Sequence, residues 1–176
     1  MEITIHDKTF VPFIDRYQLD EAVSSMVAKI QNDYGNSTPL FIGILNGSIL
    51  VMADILKKYQ GDCEVSFVKL SSYQGTESTE KVKKLIGLQT EIYNRDIIIV
   101  EDIVDTGNTI EVIEKLLRPH QPKSVKYATL FMKPEAYHGN IPIDYVGLEI
   151  ENKFIVGYGL DYDELGRNLP DVYQLK

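Results

Sequence analysis

Apolar positions change period several times along the chain, and each change predicts an element. Leu19, Ala22, Val23, Met26, Val27 and Ile30 recur at the spacing of one helical face, until Gly35, Asn36, Ser37 and Pro39 break it. A short apolar run over 40–45 predicts a strand. Asn46-Gly47-Ser48 turns the chain, and Ile49, Leu50, Ala53 and Leu56 form a second helical face. Residues 65–73 read as a strand; the continuation over 75–84 is polar and lacks an apolar face, which predicts a mobile loop. The run 97–100 predicts a buried strand. Ile110, Ile113 and Leu117 predict a helix ending near Arg118, where Pro119 and Pro122 stop it. Residues 123–132 supply another strand. The segments 145–150 and 154–156 predict two short strands joined as a hairpin by Glu151-Asn152-Lys153, and the last residues carry little periodicity.

Strands alternating with helices predict an α/β fold with a mainly parallel twisted sheet flanked by helices. Ligands of such sheets gather at the carboxyl ends of the strands. No repeat, low-complexity tract or linker divides the chain, so a single domain over 1–176 is expected. A chain of 176 residues suffices for one core. The net charge of -8 argues against a nucleic-acid binder, whose affinity depends on clustered basic surface. Cys63 is the only cysteine, which excludes an internal disulfide and predicts a reducing compartment. The first residues lack the basic and apolar regions of a signal peptide, and the apolar segment 41–56 is interrupted by Asn46, Gly47, Ser48 and Asp54. A cytoplasmic protein with no membrane partner is expected.

The most informative segment is 97–109, where an apolar strand runs into Glu101 and Asp102 and then into Asp105-Thr106-Gly107-Asn108-Thr109. The strand is expected to end at the two acids, leaving both near solvent. A helix starting after this turn presents unpaired N–H groups and a positive dipole end, so Thr106, Gly107, Asn108 and Thr109 could hold a phosphate without lysine. Two adjacent carboxylates beside a phosphate suit sugar hydroxyls or a divalent cation.

Val-Glu-Asp-Ile-Val-Asp-Thr-Gly-Asn-Thr resembles the phosphoribosyl pyrophosphate motif of type I phosphoribosyltransferases. The likeness extends through most of the chain and narrows to the hypoxanthine-guanine phosphoribosyltransferases. It implies that family's fold, with a small hood formed by terminal segments. By the resemblance, Glu101 and Asp102 hold ribose hydroxyls and metal-bound waters, Thr106 to Thr109 grip the 5'-phosphate, and Asp105 manages a proton near purine N7. Asn46 and Gly47 lie in the pyrophosphate loop, which in the family carries a cis peptide, and Asn46 stands where many relatives have lysine or arginine. Ser72 and Tyr73 begin a lid. Lys133 faces the exocyclic oxygen of a 6-oxopurine, Phe154 stacks on the base, and the backbone of Ile155 reads its polar edge. Asp161 assists base and metal, and Arg167 contacts pyrophosphate. His6, His120 and His138 fit no metal-ligand spacing and receive no role.

The resemblance therefore implies Mg2+-dependent transfer of 5-phosphoribose from phosphoribosyl pyrophosphate to hypoxanthine, and also guanine, giving IMP or GMP and pyrophosphate. It also implies a homodimer or homotetramer. Two rivals stand beside this reading: a regulatory nucleic-acid-binding protein that retains the phosphoribosyl pyrophosphate site, and a phosphoribosyltransferase for another base.

Overall fold

The computed structural model describes residues 1–71, 83–86 and 90–176. In chain order these form β1 (Ile3–Ile5), β2 (Lys8–Ile14), α1 (Arg16–Tyr34), β3 (Leu40–Leu45), α2 (Ile49–Lys58), β4 (Glu64–Ser71) and β5 (Lys83–Ile86). Then come β6 (Asp96–Val104), α3 (Asn108–Leu117), β7 (Ser124–Met132), β8 (Tyr145–Glu149), β9 (Ile155–Val156) and β10 (Val172–Leu175). Among the described residues the larger sheet has the order β5-β4-β3-β6-β7-β8, parallel throughout except for β5.

The continuous apolar runs form strands because both faces of the sheet are covered. Leu40, Ile42, Ile97 and Ile99 meet Ile110, Ile113 and Leu117 of α3 on one face. Phe41, Ile98, Val100 and Leu130 meet α1 and α2 on the other. Strand order reverses between β3 and β6, with β4 on one side and β7 and β8 on the other. Chains leaving the carboxyl ends of two such strands diverge to opposite sides and open a crevice. The turns after β3 and β6 therefore flank the same crevice.

A second sheet, β1-β2-β10-β9, is antiparallel and makes the hood from both terminal segments around Phe10, Ile5 and Val156. It is tied to α1 by Arg16, whose backbone N–H and guanidinium both donate to Asp171 at 2.9 and 3.2 Å. Asp15 starts α1 with a reciprocal cap: its carboxylate accepts from Tyr17 and Gln18 N–H at 2.9 Å, and Gln18 Oε1 accepts from Asp15 N–H at 3.1 Å. Among the described residues no helix is long and apolar enough to cross a membrane.

Three expectations change. Residues 145–150 and 154–156 do not form a hairpin, because β8 pairs with β7 in the large sheet while β9 pairs with β10 in the hood. The segment 151–153 instead carries the chain from one sheet to the other. β6 does not end at Glu101 and Asp102 but continues to Val104, pairing Ile103 and Val104 with Phe131 and Met132. The loop expected over 75–84 gives way to a strand at Lys83. The lid residues Ser72 and Tyr73 lie outside the described residues.

Removing the cap with Asp15→Ala should cost about 1 kcal/mol, roughly 2–4 °C of melting temperature for a chain of this size. Thermal melting checks it. Because Asp15 is not among the residues of the candidate site, substrate affinities should stay as in the parent.

Candidate active site

Ile97 to Val100 are fully buried, which leaves the carboxyl half of β6 as the only part of the strand with polar side chains facing the crevice. Glu101 is nevertheless only 6% exposed, and its Oε2 has no hydrogen-bond partner among the described residues. Burial, reinforced by the neighbouring charge of Asp102, pushes its carboxyl well above the usual carboxylate range, against a smaller opposing effect of the Thr109 hydroxyl. Asp102 is pushed up to about 6, first by burial. Backbone N–H groups counter the shift, including Ile103 N–H at 3.0 Å from Oδ1, as does Arg167, while Asp161 adds to it. The expectation that both acids stand near solvent is thus corrected for Glu101, which is buried beside β7, while Asp102 is half-buried with its carboxylate against Gly47.

β6 passes into α3 through Asp105, Thr106 and Gly107. Gly107 adopts φ 92°, and a β-carbon there would lie 2.6 Å from the Tyr137 ring, so the turn needs glycine on two counts. No side chain caps α3. Its first N–H groups therefore face the cleft lined by Glu101, Asp102, Asp105 and Thr106 to Thr109, as an anion site requires.

The turn after β3 meets this cleft directly. A β-carbon on Gly47 would lie 1.6 Å from Asp102 Oδ2, so the carboxylate rests on the bare Cα. The Leu45–Asn46 peptide is cis, and Asn46 O accepts from Ile49 N–H at 3.3 Å. From the hood, Gly159 touches the other side of Gly47: a β-carbon on Gly159 would lie 2.2 Å from the Gly47 carbonyl oxygen.

Lys133 follows β7 and is 6% exposed. Its backbone N–H donates to Val104 O at 3.0 Å, and its Nζ lies 2.8 Å from Asp105 Oδ2. A buried ammonium requires an acceptor, and here Asp105 supplies it. Arg167 binds Asp161 Oδ1 at 2.7 Å and donates to Gly159 O at 2.8 Å. The other Asp161 oxygen accepts from Glu164 N–H at 2.8 Å. Phe154 is 45% exposed on the hood, with Tyr162 edge-on at 5.8 Å and Phe10 tilted behind it at 6.1 Å. Ile155 is buried in β9, its partner Gln174 on β10.

The crevice thus brings together Gly47, Glu101, Asp102, Asp105 to Thr109 and Lys133, with Asp161 and Arg167 linked to them through Gly159. Phe154 and Ile155 lie in the hood. Sequence reasoning missed Gly159, Tyr137 and the bracing ring of Tyr162. The two glycines flanking Tyr158 were the available signal for a close backbone approach. Among the described residues no three His, Cys, Asp or Glu side chains converge as a ready metal cage. The adjacent pair Glu101 and Asp102, with one Glu101 oxygen unpartnered among the described residues, is the arrangement that would accept a cation or hydroxyl donors.

Residues 15–163 match the family model described as phosphoribosyl transferase domain. The hypoxanthine-guanine phosphoribosyltransferase of Streptococcus agalactiae is 47% identical over 150 residues, 85% of this chain and 83% of that protein. A crystal structure of the hypoxanthine-guanine phosphoribosyltransferase of Bacillus anthracis superposes with a TM-score of 0.88 at 35% identity, covering 94% of this chain and 98% of that one. A hypoxanthine phosphoribosyltransferase from Staphylococcus aureus gives a TM-score of 0.88 at 36% identity, over 94% and 91% of the two chains. By the family model that spans most of the chain and by relatives of this identity and coverage, this protein belongs to the phosphoribosyltransferases, in the hypoxanthine-guanine family.

Proposed function

We propose that this single-domain enzyme transfers 5-phosphoribose from phosphoribosyl pyrophosphate to N9 of hypoxanthine, and of guanine, releasing pyrophosphate. The observation that carries the reading is the buried Lys133 ammonium paired with Asp105 at the mouth of the anion turn. Lysine only donates, so a ligand that displaces the carboxylate must bring an acceptor to the same place. The exocyclic oxygen of a 6-oxopurine is such an acceptor. Once Lys133 turns to it, Asp105 is free to accept the proton from N7 as N9 attacks C1' of the ribose. The C1'–N9 bond forms, the bond from C1' to the pyrophosphate oxygen breaks, and pyrophosphate leaves with its electron pair.

The remaining residues bind and orient. Thr106, Gly107, Asn108 and Thr109 present the α3 N-terminus to the 5'-phosphate, and Glu101 and Asp102 face the ribose hydroxyls. Asn46, Gly47 and Arg167 serve the pyrophosphate. Phe154 offers an exposed ring face to the purine, and the backbone of Ile155 its polar edge. Glu101, Asp102 and Asp161 suit Mg2+, directly or through water, which when bound neutralises the pyrophosphate. Asp161 must first give up Arg167, so metal and Arg167 compete for it. Ser72 and Tyr73 belong to the proposed lid, which excludes water from the ribosyl centre. A cytoplasmic homodimer or homotetramer fits the family resemblance.

The direct test is product formation from phosphoribosyl pyrophosphate, Mg2+ and each of hypoxanthine, guanine, xanthine, adenine, orotate and uracil. Hypoxanthine should be used, and adenine rejected by roughly 10⁴-fold in kcat/KM, because its amino group leaves Lys133 without an acceptor. Equal efficiency for the two would contradict the role of Lys133. Sole use of a pyrimidine would favour the other-base rival, while salt-sensitive nucleic-acid binding without turnover would favour the regulator.

Asp105→Asn should lower kcat by on the order of 10²- to 10⁴-fold while the Kd for phosphoribosyl pyrophosphate stays within a few-fold. Rapid-quench kinetics and ligand titration separate the two. Unchanged turnover at saturation would remove Asp105 from the reaction.

Asp102 and Glu101 bind protons more tightly folded than unfolded. Their contribution to stability is therefore full below the ordinary carboxylate range and is lost as pH rises, through about 6 for Asp102. In metal-free buffer Asp102→Asn should melt above the parent at pH 8, with the gap narrowing toward pH 5. Parallel melting curves across that range would show that Asp102 is not destabilised by burial.

A further inference from the structure

Tyr158 lies outside the set that meets substrate in the mechanism above, yet it is held where no ordinary side chain would settle by itself. It is 9% exposed, packed in the main core, and its φ of 48° lies in the left-handed region between Gly157 at 106° and Gly159 at 100°. A β-carbon is disfavoured there, and glycine would meet the backbone requirement at no steric cost. Backbone bonds fix the turn on both sides: Tyr158 N–H donates to Leu169 O at 2.9 Å and Gly159 N–H to Arg167 O at 3.0 Å. The tyrosine side chain must therefore serve something else.

Its hydroxyl donates to Asp54 Oδ2 on α2. The other Asp54 oxygen pairs at 2.7 Å with Lys57, which is exposed to solvent. α2 is the helix that follows Asn46-Gly47-Ser48. The hood turn thus touches one loop-helix unit at two points: Gly159 on the Gly47 carbonyl, and Tyr158 on Asp54. Gly47 in turn rests against Asp102. Because Asn46 brings no charge to pyrophosphate, the loop must bind through the direction of its polar groups, and hydrogen bonds weaken steeply with angle.

We propose that Tyr158 and Asp54 are a positioning pair that holds the 46–48 loop in register with Asp102, so that their bond sets affinity for the pyrophosphate half of the substrate. The proposal rests on reading that loop as the pyrophosphate subsite. Neither residue touches substrate; both act through the placement of Gly47 and its neighbours.

Tyr158→Phe keeps the ring and removes only the hydroxyl, while Asp54→Ala removes the acceptor and Asp54→Asn retains one. Tyr158→Phe and Asp54→Ala should each raise the KM for phosphoribosyl pyrophosphate, and the Kd for inorganic pyrophosphate, by about tenfold, the scale of one hydrogen bond to a charged group. The KM for hypoxanthine and kcat at saturation should stay within about twofold, the double variant should be no worse than either single, and Asp54→Asn should recover most of the loss. Lys57→Met is the control for disturbing the same carboxylate from its exposed side, and should leave pyrophosphate affinity near the parent value. Unchanged pyrophosphate affinity in the variants, even with a lower melting temperature, would overturn the proposal, as would additive effects or equal rises in KM for both substrates. Pyrophosphate titration needs no turnover, so the two readings fail separately. A parent that binds pyrophosphate but does not use hypoxanthine defeats only the activity, and an active parent whose variants bind pyrophosphate normally defeats only the positioning pair.

Discussion

The contact between the bare Cα of Gly47 and the Asp102 carboxylate sets the spacing on which the rest of the site depends. It is possible only where two strand-turn-helix units lie side by side, and β3 and β6 do so at the point where the strand order reverses. Register then follows from hydrophobic packing far below the crevice, because Leu40 to Gly43 pair with Ile97 to Val100 in the fully covered middle of the sheet. Residues without any chemical role thus place a turn suited to pyrophosphate beside a carboxylate suited to ribose.

Burial is the second constraint. Glu101 and Lys133 are withdrawn from water at the carboxyl end of a sheet whose interior is almost wholly apolar, and Asp102 is half-buried beside them. Each is costly there unless paired, and the pairing is incomplete: among the described residues one Glu101 oxygen has no partner, and Lys133 relies on Asp105. Substrate hydroxyls, a metal ion and a purine oxygen are the kinds of partner that would relieve these costs. The free protein carries the imbalance on the strength of its core, and binding of such partners would remove it. This accounts for why the acids, although adjacent and alike in charge, are kept together.

The β6 to α3 unit was legible in the sequence because its signals are local. Four apolar residues, two acids, a glycine turn and a helical stripe at Ile110, Ile113 and Leu117 lie within about two dozen positions. The hood strands were not legible: β9 is two residues long, β10 pairs across nearly the whole chain with β2, and β2 contains Pro12. Their stability comes from partners distant in sequence, which periodicity does not record. The same limit hid the burial of Glu101, since an acid after an apolar run reads as a strand end until β7 is seen to continue alongside it. Tyr158 and Asp54, 104 positions apart, were invisible for the same reason.

The central claim is that Lys133 exchanges the Asp105 carboxylate for the purine oxygen, so that base recognition and proton acceptance are one event. The most direct measurement is a crystal structure of the enzyme with hypoxanthine, Mg2+ and an unreactive analogue of phosphoribosyl pyrophosphate. The account predicts Lys133 Nζ within hydrogen-bonding distance of the exocyclic oxygen and an Asp105 oxygen at N7, with their own contact of 2.8 Å broken. A bound purine beside an intact Lys133–Asp105 pair would contradict it.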